Sequence, residues 1–372
     1  MNTPTIAQLI RKIEESSPRE IAAEGDPVGL QCGDPLHSAG RVMFSLDAGE
    51  QAVSQALEAR AELLVTHHPL LFKPLSPDTL KEAAGRAFVK AVQGGLAVYS
   101  AHTNLDAARE GINASLGQLV GLTRTRVLHP LGPGQFKVVV FVPHQALEKV
   151  REAAFEAGAG RIGGYSRCSF STPGTGTFFG EAGSAPTVGV RGRLEEVQEA
   201  RLEVLVPEAV LAGVLHAVRR QHPYEEPALD VYPLMRTDSP HGMGLVGRLD
   251  RRTAVGEIAG RLSASLRVRT ARLVGRPGRK VLRVAVCAGS GASLLPAVMA
   301  SGAELFITGD LKYHEAREAQ SGGISVLDVG HFAPERYGVV CFRERMERLF
   351  SESGWKVETL LAREQDPFVP IR

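Results

Sequence analysis

Cysteine is scarce and scattered: Cys32, Cys168, Cys287 and Cys341 are the only four in 372 residues, and no two form a Cys-X-X-Cys pair. That spacing argues against a disulfide framework or a structural zinc knot and fits reduced, mostly buried thiols of a cytoplasmic protein. Charge of one sign is missing in the same way. Forty-three basic residues against 41 acidic ones leave a formal charge of only +2, with no like-charged block of five or six. Bulk electrostatics therefore speak against an obligate nucleic-acid or membrane-surface binder. Long apolar runs are absent too. No stretch approaches the length needed to span a bilayer, and the opening MNTPTIAQLIRKIEE carries no continuous apolar segment of the signal-peptide kind. A soluble cytoplasmic protein is expected.

What is present is material for two or more cores, because the chain exceeds one typical domain length. Forty glycines and 22 prolines in a chain that is 44% hydrophobic indicate many tight turns between buried elements. Ile6, Leu9, Ile10 and Ile13 fall at helical spacing and predict an opening helix over Thr5 to Glu15. After the glycine- and acid-rich loop Gly25 to Asp34, a strand over Val42 to Leu46 and a helix over Glu50 to Arg60 lead to a second strand, Glu62 to Thr66. A helix from Leu80 to Gln93 and a strand from Leu96 to Ser100 continue this β-α-β rhythm, which predicts a parallel sheet.

The stretch VTHHPLLF, Val65 to Phe72, sets two histidines and a proline at the end of a buried strand, the edge of an α/β sheet where ligands bind. On an extended segment adjacent side chains diverge, so His67 and His68 are expected to serve two neighbouring ions and not chelate one. Two histidines can also simply close a polar turn. The next strand ends in SAHTNLDAA, where an extended backbone would aim His102, Asn104 and Asp106 to one side; helix capping is the other use of such residues.

Between residues 135 and 236 an internal repeat emerges at an offset of 64 residues. Val142, Pro143, Leu147, Val150 and Ala153 match Val206, Pro207, Leu211, Val214 and Ala217. Each copy reads as strand, proline at the first helical turn, and amphipathic helix, so the two halves predict one inserted ferredoxin-like α+β domain. The glycine-rich GAGRIGGYSRCSFSTPGTGTFFG should form extended hairpin arms, and HPYEEPA, His222 to Ala228, a domain-edge turn around a buried Tyr224, although its acid pair could be functional. Residues 1–134 and 237–372 then form the two parts of one α/β domain.

In the second part, Val281 to Val286 runs into AGSGAS, whose Gly289-Ser290-Gly291 turn can present backbone N–H groups to an anion or serve only as a tight turn. Strands over Glu304 to Ile307 and Ile324 to Val329 end in TGDLKYHEA and GHFAPERYG. His331 and Glu335 lie four apart behind Pro334, on one face of a helix. Parallel strands bring all four ends together. His67, His68, Asp106, His331 and Glu335 then compose a two-metal centre of three imidazoles and two carboxylates, with one carboxylate bridging and water completing both shells. Two ions about 3.5 to 4 Å apart favour hydrolysis. His314, with Asp310 and His102 behind it, is the candidate to shuttle protons or to orient the ligand histidines, and Lys312 to meet an anionic substrate.

LVTHHPLLFKPL, SAHTNLDAA, ITGDLKYHEA and DVGHFAPE together resemble the NIF-three-like family, whose bacterial members are catalogued as GTP cyclohydrolase type-two homologues. GDPVGLQCGD resembles its N-terminal signature and the central insert its long form, similar to the PII and copper-tolerance-protein folds. The resemblance implies a three-layer fold with mostly parallel sheets. It also implies two divalent metal ions per chain, zinc, manganese, iron, nickel or cobalt, held by His67, His68, Asp106, His331 and a bridging Glu335. It further implies a toroidal homohexamer and a small-molecule substrate, with a nucleotide such as GTP the named candidate. The other class it allows is a hexameric metal-binding regulatory or interaction protein without turnover. Two positions depart from the family pattern: Ala333 and Pro334 stand where a serine or threonine more often precedes the glutamate, and Glu24-Gly25-Asp26 lacks the usual tryptophan.

Overall fold

The computed structural model describes residues 2–132, 134–235 and 239–369. The chain divides into two compact units, Met1–Gly132 with Asp238–Arg372, and Pro133–Thr237.

The first unit begins with α1 (Ile6–Ser16), whose Thr5 and Gln8 close a capping box. β1 (Gly29–Cys32), β2 (Arg41–Ser45), α2 (Glu50–Glu58), β3 (Leu63–Thr66), α3 (Ala83–Gln93) and β4 (Ala97–Ser100) follow, then two short helices, α4 (Thr103–Ala107) and α5 (Ile112–Val120), and β5 (Thr123–Pro130). In the second unit come β6 (Gln135–Pro143), α6 (Leu147–Glu156), β7 (Ser169–Phe179), β8 (Leu194–Pro207), α7 (Leu211–Gln221) and β9 (Leu229–Pro233). The chain re-enters the first unit with β10 (Gly242–Ala254), α8 (Val255–Leu266), β11 (Arg272–Val274), β12 (Lys280–Ser290) and α9 (Leu295–Ala300). It finishes with β13 (Leu305–Gly309), α10 (Tyr313–Ser321), β14 (Ser325–Asp328), α11 (Phe332–Glu352) and β15 (Glu358–Leu361).

Two sheets build the first unit, one ordered β1-β4-β3-β2-β15 and the other β11-β14-β13-β12-β10-β5. Their centres are parallel: β15, β2, β3 and β4 in the first, β12, β13 and β14 in the second. Strands β1, β11, β10 and β5 pair antiparallel. Strands β3, β4, β13 and β14 are buried along their whole length, as expected where helices cover both faces. One core runs between the sheets and takes in α1, α5, α8 and α11, while α2 and α3 cover the far face of the first sheet and α9 and α10 that of the second. From either sheet the order is helix, sheet, helix: three layers, the central helical layer shared.

The second unit is a β-α-β-β-α-β fold with the antiparallel order β7-β8-β6-β9, the ferredoxin-like arrangement. Its repeated valines, Val142 and Val150 in one half and Val206 and Val214 in the other, meet in one core. Among the described residues no helix is long and apolar enough to cross a membrane.

Candidate metal centre

Strands β3 and β4 end side by side, and backbone hydrogen bonds set the course of the chain beyond each. The N–H groups of His67 and His68 donate to the carbonyls of Ser45 and Leu46, at 3.1 and 2.8 Å, and the Ala101 N–H to Thr66 at 2.8 Å. His67 and His68 lie in a bend beyond the strand. The alternation of an extended chain therefore does not apply to them, and their side chains do not diverge: with His102 their ligating atoms all lie within 4.8 Å of one another.

Beyond β4 the chain turns helical and not extended. His102 caps α4, and four residues on, Asp106 falls on the same face. Asn104 points elsewhere, its amide donating to the Ser17 carbonyl at 2.7 Å. From the second sheet, α11 brings His331 and Glu335 one turn apart. Among the described residues His68, His331 and Glu335 form the second group of three whose ligating atoms lie within 4.8 Å of one another. Asn113 ties the two halves: its amide donates to the Asp106 carbonyl (3.0 Å) and its oxygen accepts the Ala288 N–H (2.8 Å).

All four imidazoles are anchored through Nδ1: His67 to the Ala101 carbonyl (2.9 Å), His68 to Asp47 (2.8 Å), His102 to Asp26 (2.8 Å) and His331 to Asp310 (2.7 Å). A carbonyl or carboxylate oxygen accepts, so each Nδ1 carries the proton and each Nε2 is left as the ligating atom. The anchors are themselves held. Glu364 accepts the N–H groups of Leu46 and Asp47 and pairs with Arg336 of α11 at 3.1 Å. The Thr103 N–H donates to Asp26 at 3.0 Å. Asp310 sits at φ 55°, a left-handed conformation uncommon outside glycine.

The Nε2 atoms converge on Glu335 Oε2, at 2.8 Å from His331, 3.2 Å from His68 and 4.0 Å from His67, while Asp106 Oδ1 lies 3.7 Å from His67. Yet with the protons held at Nδ1 no Nε2 can donate, and His67 Nε2, Asp106 Oδ1 and Glu335 Oε2 are all buried without a hydrogen-bond partner. Three orphaned buried polar atoms at one point are costly, and three imidazole nitrogens facing two carboxylates are a donor set for a borderline divalent cation. The residues present fit a metal centre.

The electrostatics follow from crowding. Burial holds His67 down at about 4, hence neutral. His68 is also desolvated, but Asp47 and Glu335 raise it to about 10, and Glu335 beside His331 raises that imidazole to about 9, so on these two rings a second proton competes with a metal ion for Nε2. Burial works against ionised Glu335, yet the adjoining His331 and His68 imidazoles hold it well below the carboxylate range. Asp106, fully buried and facing the Glu335 charge, is pushed well above it.

Other candidates lie elsewhere. His314 is exposed on α10 with its ring against Tyr313, and no hydrogen bond or ion pair among the described residues ties it to the imidazole cluster. Lys312 is exposed at the start of the same helix. Gly289 and Ser290 continue β12 beyond the expected end at Val286, and the stretch is built for packing: Gly291 N–H donates to Thr308 Oγ1 at 3.0 Å, and a Cβ at Gly289 would lie 2.0 Å from Glu335 Oε1. Sequence reasoning misses Asp26 and Asp47, for which the only signal is an acid in a glycine-rich loop and another closing a strand. Beside His331 opens a cleft of about 1040 Å³, with Arg267, Arg269, Arg272, Arg336 and Tyr337 on its walls.

A family model described as Duf34/NIF3 (NGG1p interacting factor 3) matches residues 4–367. A curated relative from Halalkalibacterium halodurans is 38% identical over 374 residues, covering 100% of this chain and 99% of its own; one from Bacillus subtilis is 39% identical over 327 residues, covering 88% of each. Both carry the name GTP cyclohydrolase 1 type 2 homolog. Among solved structures, a Bacillus cereus protein related to NIF3 is 36% identical with a TM-score of 0.70, and a Staphylococcus aureus protein 25% identical with a TM-score of 0.77, each covering 100% of both chains.

Proposed function

Because the chain belongs to the Duf34/NIF3 (NGG1p interacting factor 3) family, we propose that it is a metal-dependent hydrolase of a small phosphorylated compound, with GTP the first candidate named by its relatives. In this reading His67, His68, Asp106, His331 and Glu335 hold two divalent ions, Glu335 between them. His102, its ring 5.2 Å from that of His67, is a further donor. The observation that carries the proposal is the convergence of orphaned buried atoms, His67 Nε2, Asp106 Oδ1 and Glu335 Oε2, beneath four imidazoles already anchored at Nδ1.

The chemistry such ions supply when bound is Lewis acidity and activation of water at neutral pH. The chain's own residues do the rest. Asp26, Asp47 and Asp310 fix the tautomers of three histidines, so the donor atoms are preset. Arg267 and Arg269 are exposed on the neighbouring cleft and make no ion pair among the described residues; they offer guanidinium forks to a phosphate. Four cysteines free of disulfides agree with a reducing, cytoplasmic setting, and assembly as a homohexamer is carried over from the family resemblance.

The test is metal content per chain by plasma mass spectrometry on protein purified without chelators, followed by assay of the metal-loaded protein for formate release from GTP. About two ions per chain with turnover is the expected result. Metal without turnover across a nucleotide panel would leave a metal-bearing binding or regulatory protein. That second reading draws on a specific feature, since the ferredoxin-like unit contains none of the five proposed ligands. No uptake of metal on reconstitution would sink both. Sedimentation analysis giving a species other than six chains would remove the hexamer.

A further inference from the structure

Within the ferredoxin-like unit, the sheet face opposite α6 and α7 carries a cavity of about 370 Å³, in the range of small-molecule sites. Four aromatic residues stand on its walls, Phe141, Phe178, Phe179 and Tyr224. The polar groups with formal charge on it are all carboxylates, Glu199, Glu225 and Glu226; no lysine, arginine or histidine lines it. The residues between β7 and β8 are latched to the HPYEEPA turn. Glu225 accepts the Ala185 N–H and the Thr187 hydroxyl donates to the Pro223 carbonyl, both at 2.8 Å.

Glu199 is the informative residue. It is 8% exposed, and among the described residues it forms no ion pair. Room for its carboxylate exists because residue 176 has no side chain: a Cβ at Gly176 would lie 2.2 Å from Glu199 Oε2. Neighbouring cations are committed. Arg201, two residues along β8, donates to Glu203 at 2.9 Å with its guanidinium over the Phe141 ring. His222 is neutral through burial, with Nε2 donating to the Phe141 carbonyl at 2.9 Å and Nδ1 accepting the Tyr224 N–H at 3.1 Å. The Tyr224 hydroxyl, also buried, is near Glu199 but makes no well-formed hydrogen bond. A buried carboxylate without a cation is expensive to keep.

We propose that this cavity binds a small organic ammonium on an apolar body, its cationic head against Glu199 and Tyr224 and its body against the phenyl rings. Aromatic faces attract an ammonium and shed water from an apolar body. A bare divalent cation fits less well, because no three ligating side chains converge here; the two such groups among the described residues are both at the metal centre.

Calorimetric titration of the full-length protein with phenethylammonium chloride, 2-phenylethanol and sodium 3-phenylpropanoate tests the assignment. The ammonium should bind one to one. The alcohol of matching shape should bind about tenfold or more weakly, the worth of a charge-assisted contact, and the carboxylate not at all. Glu199→Gln should lower ammonium affinity to that of the alcohol while metal content per chain stays unchanged, which keeps this result separate from the fate of the hydrolase reading. Equal affinity for ammonium and alcohol, unaltered ammonium binding by Glu199→Gln, or no binding of the three probes would overturn the proposal. The comparison of ammonium with alcohol on the unsubstituted protein decides the matter even if the variant does not fold.

Discussion

A Cβ on Gly289 would lie 2.0 Å from Glu335 Oε1, and the φ of +64° is one that side-chain-bearing residues rarely adopt. Gly289→Ala should therefore displace the glutamate and strip metal, read by plasma mass spectrometry, while the circular dichroism spectrum is retained. Glu335 and His331 can be separated in the same way. Oε2 of Glu335 faces both His68 and His331, at 3.2 and 2.8 Å, whereas His331 is one donor among several. Glu335→Ala should lower the metal count toward zero and His331→Ala should remove mainly one ion of a pair. Equal losses in the two variants would contradict the bridging role. The cleft makes a substrate prediction at this scale: Arg267→Ala combined with Arg269→Ala should raise KM for a phosphorylated substrate more than it lowers kcat. The expected factor is about tenfold if one bidentate contact is lost.

Elements meet closely because particular positions are small or particular charges are shared. A Cβ at Gly338 of α11 would approach the Ile112 side chain of α5 to 2.8 Å. Gly338→Ala should thus destabilise the first unit by about 1–3 kcal/mol through overpacking, measured by denaturant titration. Glu304 pins three strands: it accepts the N–H groups of Leu282 and Arg283 in β12 at 2.8 and 3.0 Å and pairs with Arg252 of β10 at 2.8 Å while leading into β13. Burial pushes its carboxyl up, but these donors bring it below the ordinary value. A carboxyl depressed in the folded state adds stability above its unfolded pKa, about 4.3, and loses it as pH falls through the lower folded value. Glu304→Gln should cost about 1–2 kcal/mol near neutral pH, with the gap to the parent closing as pH falls through about 4 and below; a pH-independent gap would refute the assignment. At this scale the parallel strands were legible, since β3, β4, β13 and β14 are short apolar runs bounded by turns and end in His, Asp or Glu. So was the pair His331 and Glu335, whose spacing is local. What was not legible required contacts distant in sequence. Asp26 and Asp47 reach their histidines from 76 and 21 residues away, and the convergence of His67 with His68 depends on a bend. Asp106 lies on a helical turn where alternation suggested an extended chain. The antiparallel strands β10 and β11 carry no pattern to distinguish them from parallel strands.

For the whole molecule, the place where the chain leaves the first unit and returns to it is the informative feature. β5 and β10 pair antiparallel with Pro130 opposite Gly242, and Leu131 N–H still bonds the His241 carbonyl at 3.0 Å. The chain therefore leaves the first unit and returns to it at neighbouring points. Joining residues 2–132 to 239–369 through a short turn should turn these strands into a hairpin and leave metal content per chain unchanged; a folded product that takes up no metal would contradict this. The same junction has a mechanical meaning. A force drawing the ferredoxin-like unit away would pull both strands from one end, so their hydrogen bonds would open in sequence, as in a zipper, and not share the load in shear. The pull would fall first on Pro130 and Gly242, at the end of β10 where Leu245 pairs with Val286, three residues before the glycine that seats Glu335.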